Sequence, residues 1–500
     1  MNSLAHPITK NPESETAPAQ ATAGVATRLE ANPQATQALL VGLVVTGLLM
    51  FGDRPSALAR AASVGVGLSL ACSFWIEAKR GWLNLLRADL VALVALYFLT
   101  FFEFLVPQPT FDVLVPEARL IRPGIYAGLL GFAMLAIGRH FVSPRLERWR
   151  LVEVELPPGS LLFLFWLSFA LGYFHMLLAV NFNPVEMVSY FFKGRFDAPW
   201  QRGQFGDAKA LLAEIGAMLY LVPPLAGVIL ARSKSYEKPT VVLVLFALLF
   251  TLFYGFSTGT RNIIGSYLVT FVASFTFASP KGARRRSFLV GGLALGILLV
   301  ATYYGVRFRE KGLGDYAKSD NDVVFGGKTM ATAAEMGEPE MSVFVDNNLY
   351  VIAQLTEIFP STVPYLGWKV PYYVLIRVIP RALWLDKPLC LDRGADYYLG
   401  ESAATTIAST FIGESYMGAG WVGIALAGFA FGYLTMYWTR KAFSLQSYFG
   451  VLIYGSGFMA VAMSMRSLYE LPVTLMPTLG AVVVGWFLTR NVGPGRGAAA

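Results

Sequence analysis

Apolar residues run in twelve blocks along the chain, at about 37–52, 57–76, 88–106, 121–142, 159–180, 210–231, 239–257, 262–279, 287–306, 416–438, 448–466 and 471–489. Each approaches the roughly 20 mainly apolar residues that a helix needs to cross a bilayer. The blocks are continuous, whereas strands of a membrane barrel would alternate apolar and polar positions. The expected fold class is therefore an all-α polytopic membrane protein with about 12 transmembrane helices.

The polar positions between the blocks set the expected sidedness. Glu77–Arg87, Gly138–Arg150, Ala231–Lys238, Ser279–Ser287 and Thr439–Phe443 are all basic, and two blocks separate each from the next. They therefore share one face, which the positive-inside rule makes cytoplasmic, with both termini on that side. Residues 1–35 are rich in Ala, Pro, Thr and Glu and lack the short apolar core of a signal peptide. They read as a disordered cytoplasmic tail, and 490–500 as a second one.

On the opposite face, Asn181–Lys209 and the stretch from about Arg307 to Ser415 are too long for turns. The expected organisation is nine helices over 36–306, a large external loop or lid over 307–415, and three helices over 416–489. Within the lid, Met341–Phe359 and Trp368–Trp384 have near-helical apolar spacing. They are expected as amphipathic helices on or dipping into the membrane surface.

Composition agrees with this pattern: 55% of residues are hydrophobic, 14% are charged and mean hydropathy is +0.53. A soluble domain carries about a quarter charged residues. The net charge of +8 does not point to nucleic acid, because many basic residues lie in short loops between apolar blocks. Cys72 and Cys390 form no disulfide framework and no metal set. No GxxxxGK[ST] or HExxH pattern occurs, so nucleotide hydrolysis and zinc proteolysis find no support.

Candidate chemistry lies in external cations, which the sidedness rule disfavours. Arg261 sits in a turn with Ser257, Thr258, Gly259, Thr260 and Asn262, at the start of an expected helix. Exposed N–H groups, hydroxyls and an arginine make an anion site there, against a capped turn with a snorkelling arginine. Arg377 and Arg381, four apart, would share a face of a continuous helix, and Lys387 and Arg393 follow. Either an anion lies between these guanidiniums or the helix rests on anionic headgroups. Arg307, Arg309 and Lys311 read as a juxtamembrane anchor. His175 lies in the outer half of a block, as a hydrogen-bonded core histidine or a base. Glu414 precedes a Gly-rich block, as a favourable charge at a helix N-terminus or a chemical group.

The segments IPRALWLDKP (379–388) and STFIGESYMGAGWVG (409–423) together resemble the paired signature of Wzy-type bacterial O-antigen and exopolysaccharide repeat-unit polymerases. YGFSTGTRN (254–262) resembles the external arginine turn of the same family. The resemblance covers about the second half of the chain and the overall topology. It implies a GT-C-like glycosyltransferase of the bacterial inner membrane. Such an enzyme moves a glycan from its undecaprenyl pyrophosphate carrier to a sugar hydroxyl of an incoming lipid-linked repeat unit. It implies Arg261, Arg377 and Arg381 at the pyrophosphate, with Lys387, Arg393, Thr260 and Ser257 as further substrate contacts. Glu414 and His175 are the candidate bases. No cofactor or metal is expected. The expected partners are the undecaprenyl-pyrophosphate-linked oligosaccharide, membrane lipid and a chain-length regulator. An O-antigen ligase or other lipid-linked glycan transferase, a transporter or flippase, and an envelope scaffold are the alternatives.

Overall fold

The computed structural model describes residues 29–106, 108, 111–194, 197–200, 214–280, 282–305, 312–316, 324–325, 328–329, 348–379, 383–384, 386–388, 398–399 and 408–490. Among the described residues nine long helices precede the lid, with short helices at Phe111–Leu114 and Pro184–Tyr190 between them: α1 (Pro33–Leu48), α2 (Pro55–Ala78), α3 (Ala88–Thr100), α4 (Ala118–Gly138), α5 (Pro158–Ala179), α6 (Gly216–Ala231, opening as a 3₁₀ turn), α7 (Lys238–Ser257), α8 (Arg261–Ala278) and α9 (Arg284–Gly305). Among the described residues the lid holds the four-residue helix Leu313–Tyr316 and two longer ones, α10 (Asn348–Ile358) and α11 (Lys369–Ile376). Three more close the chain: α12 (Thr410–Ala442), α13 (Tyr448–Arg466) and α14 (Glu470–Arg490). The described strands are a two-residue ribbon pair, β1 (Val324–Phe325) and β2 (Lys328–Thr329).

Each of the twelve apolar blocks is a helix, but they are not equivalent. Among the described residues eight helices, α2, α4, α5, α7, α9, α12, α13 and α14, are long and apolar enough to cross a membrane. Three, α1, α3 and α6, are shorter. α8 has 18 residues and carries buried Arg261, Ser266, Thr270, Ser274 and Thr276. It is packed among α6, α7, α9 and α13, where neighbouring helices shield those polar groups from lipid. The chain is thus an α-helical, multi-pass membrane protein.

Local sequence explains where helices begin. Proline opens α1, α2 and α5, where its missing N–H costs nothing. Asn32 caps α1 by accepting from Gln34 N at 3.1 Å, and Ser447 caps α13 by accepting from Gly450 N at 2.8 Å. α1 thus begins inside the stretch 1–35 expected as a tail, and residues 1–28 lie outside the described part.

The five basic loops gather at one end of the bundle. Trp149 N donates to the Lys441 carbonyl at 3.1 Å, and Arg440 donates to the Val142 carbonyl at 2.7 Å. Arg232 lies over the Tyr448 ring at 3.6 Å, Arg286 donates to the Leu230 carbonyl at 3.2 Å, and Trp82 meets Phe288 at 5.6 Å.

Not all of that end's charge is solvated, as its reading by topology alone implied. Arg87 pairs with Glu77 and Asp89, each at 2.8 Å. Arg139 pairs with Asp89 at 3.1 Å and Glu77 at 3.5 Å, and all four side chains are fully buried. Burial alone would lower the Arg87 pKa, but the two carboxylates outweigh it and raise it. The quartet also holds the N-terminal segment: Arg87 donates to the Glu30 carbonyl at 2.6 Å, and Asn32 N donates to Glu77 at 3.1 Å.

The lid helices differ from their expectation too. α10 is shorter than Met341–Phe359, whose residues 341–347 lie outside the described part. It does not lie on a surface: Asn348, Leu349, Val351, Ile352, Ala353 and Leu355 are buried, and it is wedged between α4 and α12. Gly124 admits it, since a Cβ there would stand 2.8 Å from the Leu349 carbonyl oxygen. α11 covers only part of Trp368–Trp384. It ends at Ile376, and Arg377–Ile379 form a turn, so no continuous helix places Arg377 and Arg381 on one face. Arg381, Arg393 and Cys390 lie outside the described residues.

The boundary expected at 415/416 also shifts. α12 begins at Thr410 and breaks at Ala419 and Gly420, so Glu414 lies within a half-helix rather than before one. Gly420 has φ 61° and ψ −142°, a conformation essentially restricted to glycine. The break frees carbonyls, and Leu366 N and Gly367 N donate to those of Met417 and Gly418, each at 2.9 Å.

Candidate functional site at the end opposite the basic loops

Helix direction fixes which charged groups share the other end. Phe277 meets Tyr454 at 5.6 Å, close to the basic loops. From there Arg261 lies about 24 Å back along α8, and Arg466 about 18 Å forward along α13, at 1.5 Å per residue. The Arg261 turn and the α13–α14 turn therefore occupy the same end.

Arg261 is the first residue of α8, and its N-cap Thr260 makes no side-chain cap bond. The guanidinium is buried, 3.4 Å from Glu103 Oε2 and 5.6 Å from the Phe98 ring centroid. Glu103 is buried in the 3₁₀ turn Phe102–Leu105 after α3. The neighbouring hydroxyls serve their own turn. Ser257 donates to the Tyr254 carbonyl at 2.8 Å, Thr258 to that of Gly255 at 2.8 Å, and Thr260 to that of Thr258 at 3.3 Å. The turn is capped internally, and its buried cation faces a carboxylate.

Glu414 is buried in the α12 half-helix. Its Oε1 accepts from Ser467 Oγ at 2.6 Å and its Oε2 from Leu468 N at 2.5 Å. Both donors lie in the α13–α14 turn, so this carboxylate ties the half-helix to the last two helices. Arg377 reaches Glu470, at the start of α14, at 3.9 Å. Lys387 Nζ donates to the Arg377 and Ile379 carbonyls at 3.2 and 2.8 Å, a cation at the carbonyl end of α11. Tyr469 lies within electrostatic reach of Glu414, Tyr398, Tyr373 and Arg377. Burial, then the Glu414 charge, push its phenol up, so it stays a proton donor.

The structure thus brings Glu414, Arg377 and Lys387 together with Ser467, Leu468, Tyr469 and Glu470, and sets Arg261 with Glu103. His175 stands apart from these contacts. It bonds to Gly172 in its own helix and packs against Gly216, where a Cβ would lie 2.5 Å from Nδ1. That Nδ1 is buried without a hydrogen-bond partner among the described residues. No group of three or more His, Cys, Asp or Glu placed to hold a metal ion occurs among the described residues.

Sequence reasoning missed Glu103, Ser467 and Glu470. Glu103 was readable, because a lone carboxylate in an apolar block demands a partner. Ser467 gave no such signal, since a serine in a short turn is commonplace.

The family described as Domain of unknown function (DUF8712) matches residues 215–466. The chain belongs to that family. The match spans α6 to α13, and so includes Arg261, Arg377, Lys387 and Glu414 but neither Glu103 nor the α13–α14 turn. No curated protein and no solved structure matches the chain.

Proposed function

We propose that this protein is an integral membrane glycosyltransferase, which polymerises undecaprenyl-pyrophosphate-linked oligosaccharide repeat units at the face opposite its basic loops. The observation that carries the reading is the meeting of Arg377, Lys387 and the doubly bonded Glu414 at that end. Arg261 lies at the same end. In this reading the twelve helical blocks all span the inner membrane in a GT-C-like arrangement, and both termini are cytoplasmic.

In the proposed reaction the bond from the donor sugar's anomeric carbon to the pyrophosphate oxygen breaks, and the electron pair stays with the carrier. A new bond forms from that carbon to the acceptor hydroxyl oxygen, whose proton passes to a base. The developing pyrophosphate charge is the largest demand on the site, and planar guanidiniums meet it bidentately. Arg377, in the turn after α11, and Arg381, four residues further along the sequence, are the donors assigned to it, together with Arg261. Glu414 is the base best supported by contacts, because Ser467 and Leu468 hold its carboxylate in one orientation. The family analogy adds a chain-length regulator as partner.

A transport reading has one observation in its favour, the break in α12. It calls for such breaks in paired halves of the chain.

The deciding experiment is the lipid-linked glycan that accumulates when the protein is absent. Single repeat units on the carrier, already flipped to the outer leaflet of the inner membrane, are the expected result. Full-length polymer on the carrier points instead to a ligase, and unflipped units to a transporter. Arg381→Ala, at unchanged membrane level, should shorten the glycan, and Arg381→Lys should impair it less. Wild-type chain lengths from Arg381→Ala remove that residue from the site.

A further inference from the structure

α11 has two unlike sides. Trp368, Tyr372 and Leu375 follow each other at i, i+4 and i+7, which sets them on one stripe. They are 87%, 46% and 72% exposed. Val370 and Ile376 are buried, and Arg377, half a turn from the centre of the stripe, points toward Glu470. The helix rests on the outer ends of α12 and α14. It is bonded to α12 through Leu366 and Gly367, and Val370 packs against Gly418.

A tryptophan, a tyrosine and a leucine facing outward would be costly in water. The same set, with Lys369 beside it, is the composition that settles at a membrane interface. The lipid-exposed half of α12 starts close by: Val370 packs against Gly418, and Trp421, Val422 and Leu426 just beyond the Gly420 break are exposed.

We propose that α11 is seated in the outer leaflet's interface through Trp368, Tyr372 and Leu375, with the lipid surface as its partner. Its opposite side carries Arg377 at headgroup depth. Because α11 is bonded to the Met417 and Gly418 carbonyls, the bilayer itself then sets the position of the half-helix that carries Glu414. This part of the lid is a membrane-anchored lintel and not a flap in water. The inference stands apart from the proposed activity, since it concerns depth and not chemistry.

Depth can be read from spin labels on the full chain in lipid nanodiscs. Trp368→Cys, Tyr372→Cys and Leu375→Cys are each labelled in a Cys72→Ser, Cys390→Ser background. Exposed positions lose little packing on substitution, so folding is not at stake. Trp421→Cys supplies the lipid-facing reference and Glu357→Cys the water-facing one, as Glu357 is exposed on α10. The expected result is collision with oxygen in preference to a water-soluble nickel chelate at all three stripe positions, as at Trp421→Cys. Nickel accessibility like that of Glu357→Cys overturns the proposal in favour of an aqueous lid. Labels shielded from both reagents overturn it in favour of a stripe covered by protein.

Discussion

The two ends of the bundle hold buried charge in opposite ways. At the basic end two arginines and two carboxylates form a closed quartet with no exposed side chain, and Arg87 engages both acids at 2.8 Å. The other end includes the pairs Arg261–Glu103 at 3.4 Å and Arg377–Glu470 at 3.9 Å, and Arg377 and Glu470 keep 11% and 22% of their side-chain surface exposed. A quartet of equal and opposite charges, already bonded on every side, offers a ligand nothing. It fixes α1, α2, α3 and α4 to one another. Pairs at longer range, one of them partly exposed, leave an arriving anion a way in. The difference teaches that burial of arginines alone does not mark a site; the tightness of their existing bonds does.

The comparison breaks most visibly at the quartet. Arg87→Ala strands Glu77 and Asp89 with one cation fewer, and removing one partner of a buried ion pair costs about 3–5 kcal/mol. Low membrane levels and a large fall in Tm in detergent are the expected outcome. A wild-type Tm would mean that the quartet is not the clamp described.

Arg261 sharpens the comparison, because it is the most buried cation of the outer end. Arg261→Met should destabilise the protein by stranding Glu103, and adding Glu103→Gln should restore most of that stability. Polymerisation should stay reduced by about 10²–10³ in both variants, the scale for loss of one donor to transition-state charge. Recovery of polymer along with stability would instead make this a second structural pair.

The smallest expected effect lies at His140, whose Nε2 is 2.6 Å from Thr36 Oγ1 beside the quartet. Burial first, and then Arg139, hold its pKa below the ordinary 6.5. The folded state therefore binds this proton less readily than the unfolded state. The stability it contributes is complete above about pH 6.5 and is lost as pH falls below that value. A modest fall in Tm on acidification should be smaller in His140→Gln; an identical pH dependence removes His140 as its cause.

Helix positions were legible in the sequence because lipid requires long apolar runs with satisfied backbones, and those runs are visible without partners. The quartet was not, since Glu77, Arg87 and Arg139 sit in stretches whose other charges do face solvent. Only the approach of three chain segments distinguishes them. α10 was misjudged for a related reason. Its apolar spacing suits a bilayer surface and a protein groove equally, and the decision rests on Gly124, more than 200 residues earlier. At the outer end, the sequence placed Arg261, Arg377 and Glu414 on the shared face. Their partners Glu103, Ser467 and Glu470 come from other helices and emerge only when those helices pack.

The break in α12 bears on how the chain is made. Leu366 and Gly367 bond to carbonyls about 50 residues further along, and those carbonyls are free only because Gly420 interrupts the helix. While the ribosome is still delivering the intervening residues, α10 has only helices made before it to dock on, among them α3, where Asn348 donates to the Leu99 carbonyl at 2.8 Å, and α4. The lid gains its attachment to α12 only after α12 has been made. Glu414 waits longer still, for Ser467 and Leu468, and so its carboxylate is fixed only after α13 has been made. Assembly of the outer end is thereby tied to delivery of the α13–α14 turn, and a product truncated before it would carry the arginines without the geometry that orients them.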